Sequence, residues 1–151
     1  MTDSTSGSSG SSGFSAEERA AMTQRADEIR STKGLKGAAK TAREFEDCIA
    51  AIDALEGTDR EVAVALHHIV GEVAPHLAPK TWYGFPTYAR DGKVVVFYQP
   101  ASKFDTRYGT VGFQDAAALD DGAMWPVVFA VVEVTDAVKA QLAALVEKAA
   151  R

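Results

Sequence analysis

The sequence predicts an α+β fold: a mainly antiparallel sheet of about four strands with helices packed on one face, preceded by an N-terminal helical extension. Three observations predict it. Apolar residues recur at helical spacing through the first half of the chain, up to Pro75. From Trp82 the pattern changes to short runs rich in aromatic and β-branched residues, separated by turn residues. A helical stripe then returns near the C-terminus. Helices, a strand meander and a closing helix suit helices gathered on one side of an antiparallel sheet.

Residues 1–13 are rich in Ser, Gly and Thr and contain GSSGSSG at Gly7 to Gly13. Such a segment cannot bury a core, and disorder is expected whether it is an added linker or a natural low-complexity tail. The first helix starts after Ser15, where Ser15 and Glu18 form a capping box. Met22, Ala26 and Ile29 give it a thin apolar stripe, and it should fade near Thr32. The second helix, roughly Ala38 to Glu56, carries Phe45, Cys48, Ile49, Ile52 and Leu55 on one stripe, with Gly57 placed to end it. Thr58 and Glu61 form a second capping box for a third helix, which buries Val62, Leu66, Ile69, Val70 and Val73 and stops before Pro75.

Two strands, Trp82 to Ala89 and Lys93 to Gln99, flank Asp91-Gly92, a type I′ hairpin signal. Folding about that turn sets Tyr88 opposite Val95 and Phe85 opposite Tyr98. The run VVVFY is apolar on both faces and so belongs to a central strand. Pro86 lacks an amide donor, which puts its strand at an edge or a bulge. Further strands are expected at Tyr108 to Phe113 and Pro126 to Val132, joined by a short helix or loop. Thr135 caps a last helix with Val138, Leu142, Leu145, Val146 and Ala149 on its buried stripe. The expected organisation is a tail at 1–13, a helical extension at 14–57 that packs on the domain or mediates self-association, and an α+β domain at 58–151.

The chain has 151 residues, 46% of them hydrophobic, which is enough for one globular domain with a real core. Its net charge of -5 repels phosphate backbones, so no nucleic-acid partner is expected. No apolar run approaches the roughly 18 residues of a membrane span, and the first residues lack the basic and apolar regions of a signal peptide. The single cysteine, Cys48, allows no disulfide within the chain, which suggests a reducing cytoplasm, and its place in a helical stripe makes it a buried small hydrophobe.

The stretch KTWYGFPTYARDGKVVVFYQPASKF, from Lys80 to Phe104, resembles the YdhG-like domains of unknown function, some of which are called frataxin-like iron chaperones. The matching residues are Ala74-Pro75, Gly84, Pro86 and Tyr88, the strand Lys93 to Tyr98, then YGTVGF at Tyr108 to Phe113 and the terminal helix. The Trp that usually precedes the Gly is Tyr83 here, with Trp82 one place earlier; on a continuous strand the two would point to opposite faces. The resemblance implies the same α+β fold and iron as a cargo held on carboxylates.

Candidate chemistry follows from spacing and residue type. His68 and Glu72 share a helix face at i,i+4 and could together ligate a divalent cation. Asp120 and Asp121 are adjacent carboxylates before Trp125 and join them as metal candidates; a solvated acidic face explains the same residues. Tyr83, Gly84, Pro86, Tyr88, Tyr108 and Trp125 are the candidate lining of a concave aromatic pocket, with Lys103 and Arg107 as cationic handles for an anionic ligand. The same aromatics could instead be core. A Ser–His–Asp order, a nucleophile elbow, a phosphate loop and a dinucleotide fingerprint are absent in any fitting context, so no catalytic residue is assigned. The expected function is a non-enzymatic binding protein for iron, with a small-molecule binding module on an aromatic face of the sheet, or an enzyme of unrecognised type, as the alternatives.

Overall fold

The structure, a computed structural model, describes residues 13–151. The tail expected at 1–13 lies outside the described residues except for Gly13. Helix α1 (Ala16–Ser31) begins where expected, with the Ser15 hydroxyl accepting the Glu18 amide at 3.1 Å. Helix α2 (Gly37–Asp53) and helix α3 (Gly57–Val73) follow. The second capping box does not form: α3 is preceded by Glu56 and has no side-chain cap. Gly57 takes the left-handed φ of 58° at the entry of α3 rather than after α2, so Thr58 already lies inside the first turn.

Five strands form one antiparallel sheet in the order β1 (Ala78–Trp82), β2 (Phe85–Arg90), β3 (Lys93–Gln99), β4 (Gly109–Phe113) and β5 (Val128–Val131). Strand β1 is one more than expected. The run read as a single strand from Trp82 is broken at Tyr83-Gly84, whose φ values of 54° and 81° make a tight turn. Asp91 and Gly92, at 51° and 79°, make the predicted turn between β2 and β3. A β-bulge then displaces the expected register. Ala89 pairs with Val94 but Tyr88 pairs with Val96, so Val95 has no opposite residue. Phe85 pairs with Trp82 of β1 rather than with Tyr98. Pro86 is not on an edge strand, since β2 lies between β1 and β3. It pairs with Thr81, one residue before the β2–β3 ladder opens at Thr87, where no amide is required of it.

Side-chain alternation divides the sheet. Tyr88, Val96, Tyr98, Val111, Phe113 and Val131 point into a single core with Cys48 and Ile52 of α2, Leu66 and Val70 of α3, and Leu142 and Val146 of α5 (Asp136–Ala149). The expected extension therefore packs against the domain through α2, whereas α1 buries no residue. The closing helix carries its predicted cap, Thr135 Oγ1 accepting the Val138 amide at 3.1 Å. Strands β4 and β5 are joined by a loop, and a single turn, α4 (Ala101–Phe104), follows β3. Among the described residues no helix is long and apolar enough to cross a membrane.

Trp82, Phe85, Thr87, Phe97 and Gly112 point to the opposite face. Two glycines on β4 make room for the large rings of β3, one on each face. A Cβ at Gly112 would overlap the Phe97 ring, and one at Gly109 would overlap the Tyr98 hydroxyl. Gly109→Ala is therefore expected to destabilise the protein by about 1–3 kcal/mol in chemical denaturation, the usual scale of overpacking, while keeping the fold.

Candidate functional site

The second face of the sheet holds a run of touching aromatic rings. Trp82 meets Tyr83 and Phe97 edge-on at 5.2 and 5.4 Å, Phe85 stacks on Phe97 at 6.1 Å, and Phe104 meets Phe85 edge-on at 5.7 Å. Because Tyr83 is a turn residue, its ring joins that of Trp82 instead of pointing to the opposite face. Helices α2, α3 and α5 pack on the other side, and among the described residues α4 and the start of α1 reach this surface. Val128, on the same face of β5, remains 58% exposed. Between α1 and the rings lies a cavity of about 220 Å³ lined by Phe14, Glu18, Ala21 and Met22 on one side and Tyr83, Phe85, Gln99 and Phe104 on the other.

Two carboxylates fix the elements that border this surface. Glu28 of α1 accepts the Tyr83 amide at 3.1 Å and the Gly84 amide at 2.6 Å, one on each oxygen. Its side chain is only 10% exposed, and Arg25 lies 3.2 Å away. Lys103 covers the same turn: a Cβ on Gly84 would sit 3.0 Å from its ammonium. The second carboxylate, Asp59 in the first turn of α3, accepts the Tyr98 hydroxyl at 2.7 Å and the Ala101 and Ser102 amides at 2.9 and 3.0 Å. It thus holds the start of α4, and α4 carries Lys103 and Phe104. Burial pushes the Asp59 carboxyl up, but the Tyr98 hydroxyl and the two amides outweigh it and hold it below the usual carboxylate range. Burial and the Asp59 charge push the Tyr98 hydroxyl the other way, far up.

The structure brings together three of the expected ligand residues, Tyr83, Gly84 and Lys103, and separates the rest. Tyr88 and Pro86 are fully buried on the helix side of the sheet, because alternation from Phe85 turns them away from the aromatic face. Trp125, on the β4–β5 loop, packs against the main core. Arg107 lies over the Tyr108 ring, 4.9 Å from its centre, in an exposed pair ahead of β4. Glu28 and Asp59 were not among the expected residues. Their partners lie 39 to 56 positions away, so no local pattern marks them.

The groups best suited to catalysis are engaged elsewhere. Cys48 is completely buried, and burial pushes its thiol up to about 11, against smaller opposing effects of the Thr87 and Lys80 backbone and the Tyr88 hydroxyl. That thiol is a weak nucleophile at neutral pH. Tyr88 also lies 3.0 Å from His67 Nδ1, and burial with the neighbouring His68 lowers the His67 pKa. His76 Nε2 and Arg90 hold the Ala150 carbonyl at 2.8 and 2.9 Å and so tie down the end of α5.

The metal candidates fall in two places. His68 and Glu72 are exposed on α3 and line an open groove of about 940 Å³ against α5, floored by Val64, Ala65, Ile69 and Ala143. Asp120 and Asp121 are exposed on the β4–β5 loop and do not join them. Among the described residues no three of His, Cys, Asp and Glu come together as a cation site. Comparison of the chain with protein-family models, with curated proteins and with solved structures finds no match.

Replacing Asp59 by Asn is expected to cost about 1.5–3 kcal/mol at neutral pH, the scale of hydrogen bonds to a charged group. A carboxyl with a depressed folded pKa contributes fully above its unfolded value, and that contribution fades as pH falls through the folded one. Urea unfolding at a series of pH values should therefore show the variant and the parent converging below about pH 4.

Proposed function

We propose that this protein is a non-enzymatic binding module that takes a small, partly aromatic molecule on the face of its sheet opposite α2, α3 and α5. One observation carries the reading: five aromatic rings, Trp82, Tyr83, Phe85, Phe97 and Phe104, touch in sequence beside the cavity under α1. Apolar walls with a few fixed polar groups are the usual chemistry of small-molecule sites. Here the polar side chains of the cavity are Glu18 and Gln99, and the Lys103 ammonium stands by the adjoining Tyr83–Gly84 turn. The reading places the protein in the cytoplasm, where a free thiol such as Cys48 stays reduced. In an amide-resolved NMR screen of aromatic fragments, shifts should concentrate at Tyr83, Phe85, Phe97 and Phe104. Phe104→Ala should weaken binding roughly tenfold, the cost of about 1.4 kcal/mol of lost ring contact. Fragments that bind only elsewhere, or none that bind, would remove the proposal.

Carriage of iron is a second reading. It joins the resemblance to YdhG-like domains with one observation, that His68 and Glu72 line the same α3–α5 groove. Two protein ligands would leave the remaining positions of a cation to water, so binding would be weak. Anaerobic Fe(II) should broaden amides around His68 and Glu72, and His68→Ala should abolish the effect. Equal broadening by Mg(II) would mark a generic acidic surface and end the iron reading.

A further inference from the structure

We infer that the Tyr83–Gly84 turn is a carboxylate-binding site, that Glu28 of α1 is its built-in occupant, and that the ligand of the aromatic surface is an amphipathic carboxylate that displaces α1. The inference rests on the aromatic-surface reading above and names its ligand class. Consecutive residues with positive φ, Tyr83 at 54° and Gly84 at 81°, aim two successive amides at one point. Such amide pairs hold anions. Glu28 fills this one with both oxygens. Lys103 stands beside the turn on α4, and its ammonium is in no ion pair with an acidic side chain among the described residues. It remains in place if α1 leaves.

Helix α1 itself has the form of the ligand. Glu28 enters the turn while Met22, on the same helix, and Phe14, just ahead of it, face Tyr83, Phe85 and Phe104 across the cavity. A carboxylate and an apolar body are thus presented together to two amides and a set of rings. The helix is also weakly held. It buries no residue, and Phe14 and Met22 remain 58% and 39% exposed. Apart from Glu28, its one side-chain hydrogen bond to another helix or strand joins Ser31 to Asp47 at 3.1 Å. Removal of α1 would uncover the amide pair and the apolar patch at the same time, leaving Lys103 to receive the incoming charge.

The test compares 4-phenylbutyrate with its neutral amide, 4-phenylbutyramide, by amide-resolved NMR on the full chain and on Glu28→Gln and Glu28→Ala. The expected result is a phenylbutyrate shift at Tyr83 and Gly84 that the neutral amide does not produce. Binding should be roughly tenfold tighter in both variants, because the competing internal carboxylate is gone. Lys103→Ala in the Glu28→Gln background should reverse most of that gain. Two variants guard against a fold defect, which the dispersion of the remaining amides reports directly. If both probes bind the aromatic rings equally well and Glu28 substitution changes nothing, the carboxylate site is wrong and the aromatic-surface reading survives. If neither probe touches the rings in any variant, both fall.

Discussion

Four elements meet at the Asp59 carboxylate, and the placement of the candidate site depends on it. One oxygen takes the Tyr98 hydroxyl and the Ala101 amide, and the other takes the Ser102 amide. These bonds join α3 to the end of β3 and stop the chain from drifting as it leaves the sheet. Gly109 on β4 is the fourth participant, since only a residue without Cβ lets the Tyr98 hydroxyl pass to Asp59. The turn that results, α4, is four residues long and too short to hold itself together. Its position is imposed by the carboxylate at its start, and with it the positions of Lys103 and Phe104. A charge buried in the core is acceptable here because every hydrogen bond it needs is met, and no buried polar side-chain atom among the described residues lacks a partner.

The same strand that feeds this junction also creates the aromatic surface. Successive residues of β3 point to opposite faces, so Tyr98 serves the core while Phe97 lies across the other side over Gly112. One glycine on β4 receives each ring. Thr87 is fully buried on that second face although no long helix covers it, in keeping with the Trp82 and Phe97 rings lying across the sheet. Phe85 and Phe97 are themselves buried, at 5% and 8% exposure, so the rings form a second, smaller apolar layer on this face.

The long helices are legible in the sequence because α2, α3 and α5 carry a stripe of apolar residues at helical spacing and α1 and α5 begin at a Ser or Thr cap, whereas the single turn α4 carries no such signal. The Asp91-Gly92 turn and the centrality of VVVFY are legible for equally local reasons. Strand β1 is not, because Pro79 and Lys80 interrupt its pattern and a tyrosine stands where a left-handed φ is needed. The register slipped at Val95 because a bulge costs one residue that alternation cannot announce. In the site, aromatic character groups Tyr83 with Tyr88, although an odd separation on one strand already sends them to opposite faces; Tyr88 lies in the core, and the turn at Tyr83 brings its ring to Trp82 on the other side. Glu28 and Asp59 look like ordinary helix-surface acids until distant backbone amides arrive beside them.

The energetics of α1 decide what kind of ligand can open it. Glu28 is tethered, so its local concentration at the turn is on the order of millimolar or higher. A free carboxylate with nothing attached offers the same two amides the same bonds and cannot compete at ordinary concentrations. Selection then falls to the apolar part. Covering about 100 Å² of ring surface at about 25 cal/mol per Å² adds about 2.5 kcal/mol, or between one and two powers of ten in affinity. The rings therefore supply the affinity needed to outcompete the helix, and the amides with Lys103 supply the discrimination against neutral molecules of the same shape. Neither half suffices alone, which is why, on this proposal, Glu28 has to leave the turn and Met22 and Phe14 the mouth of the cavity together for the surface to become available.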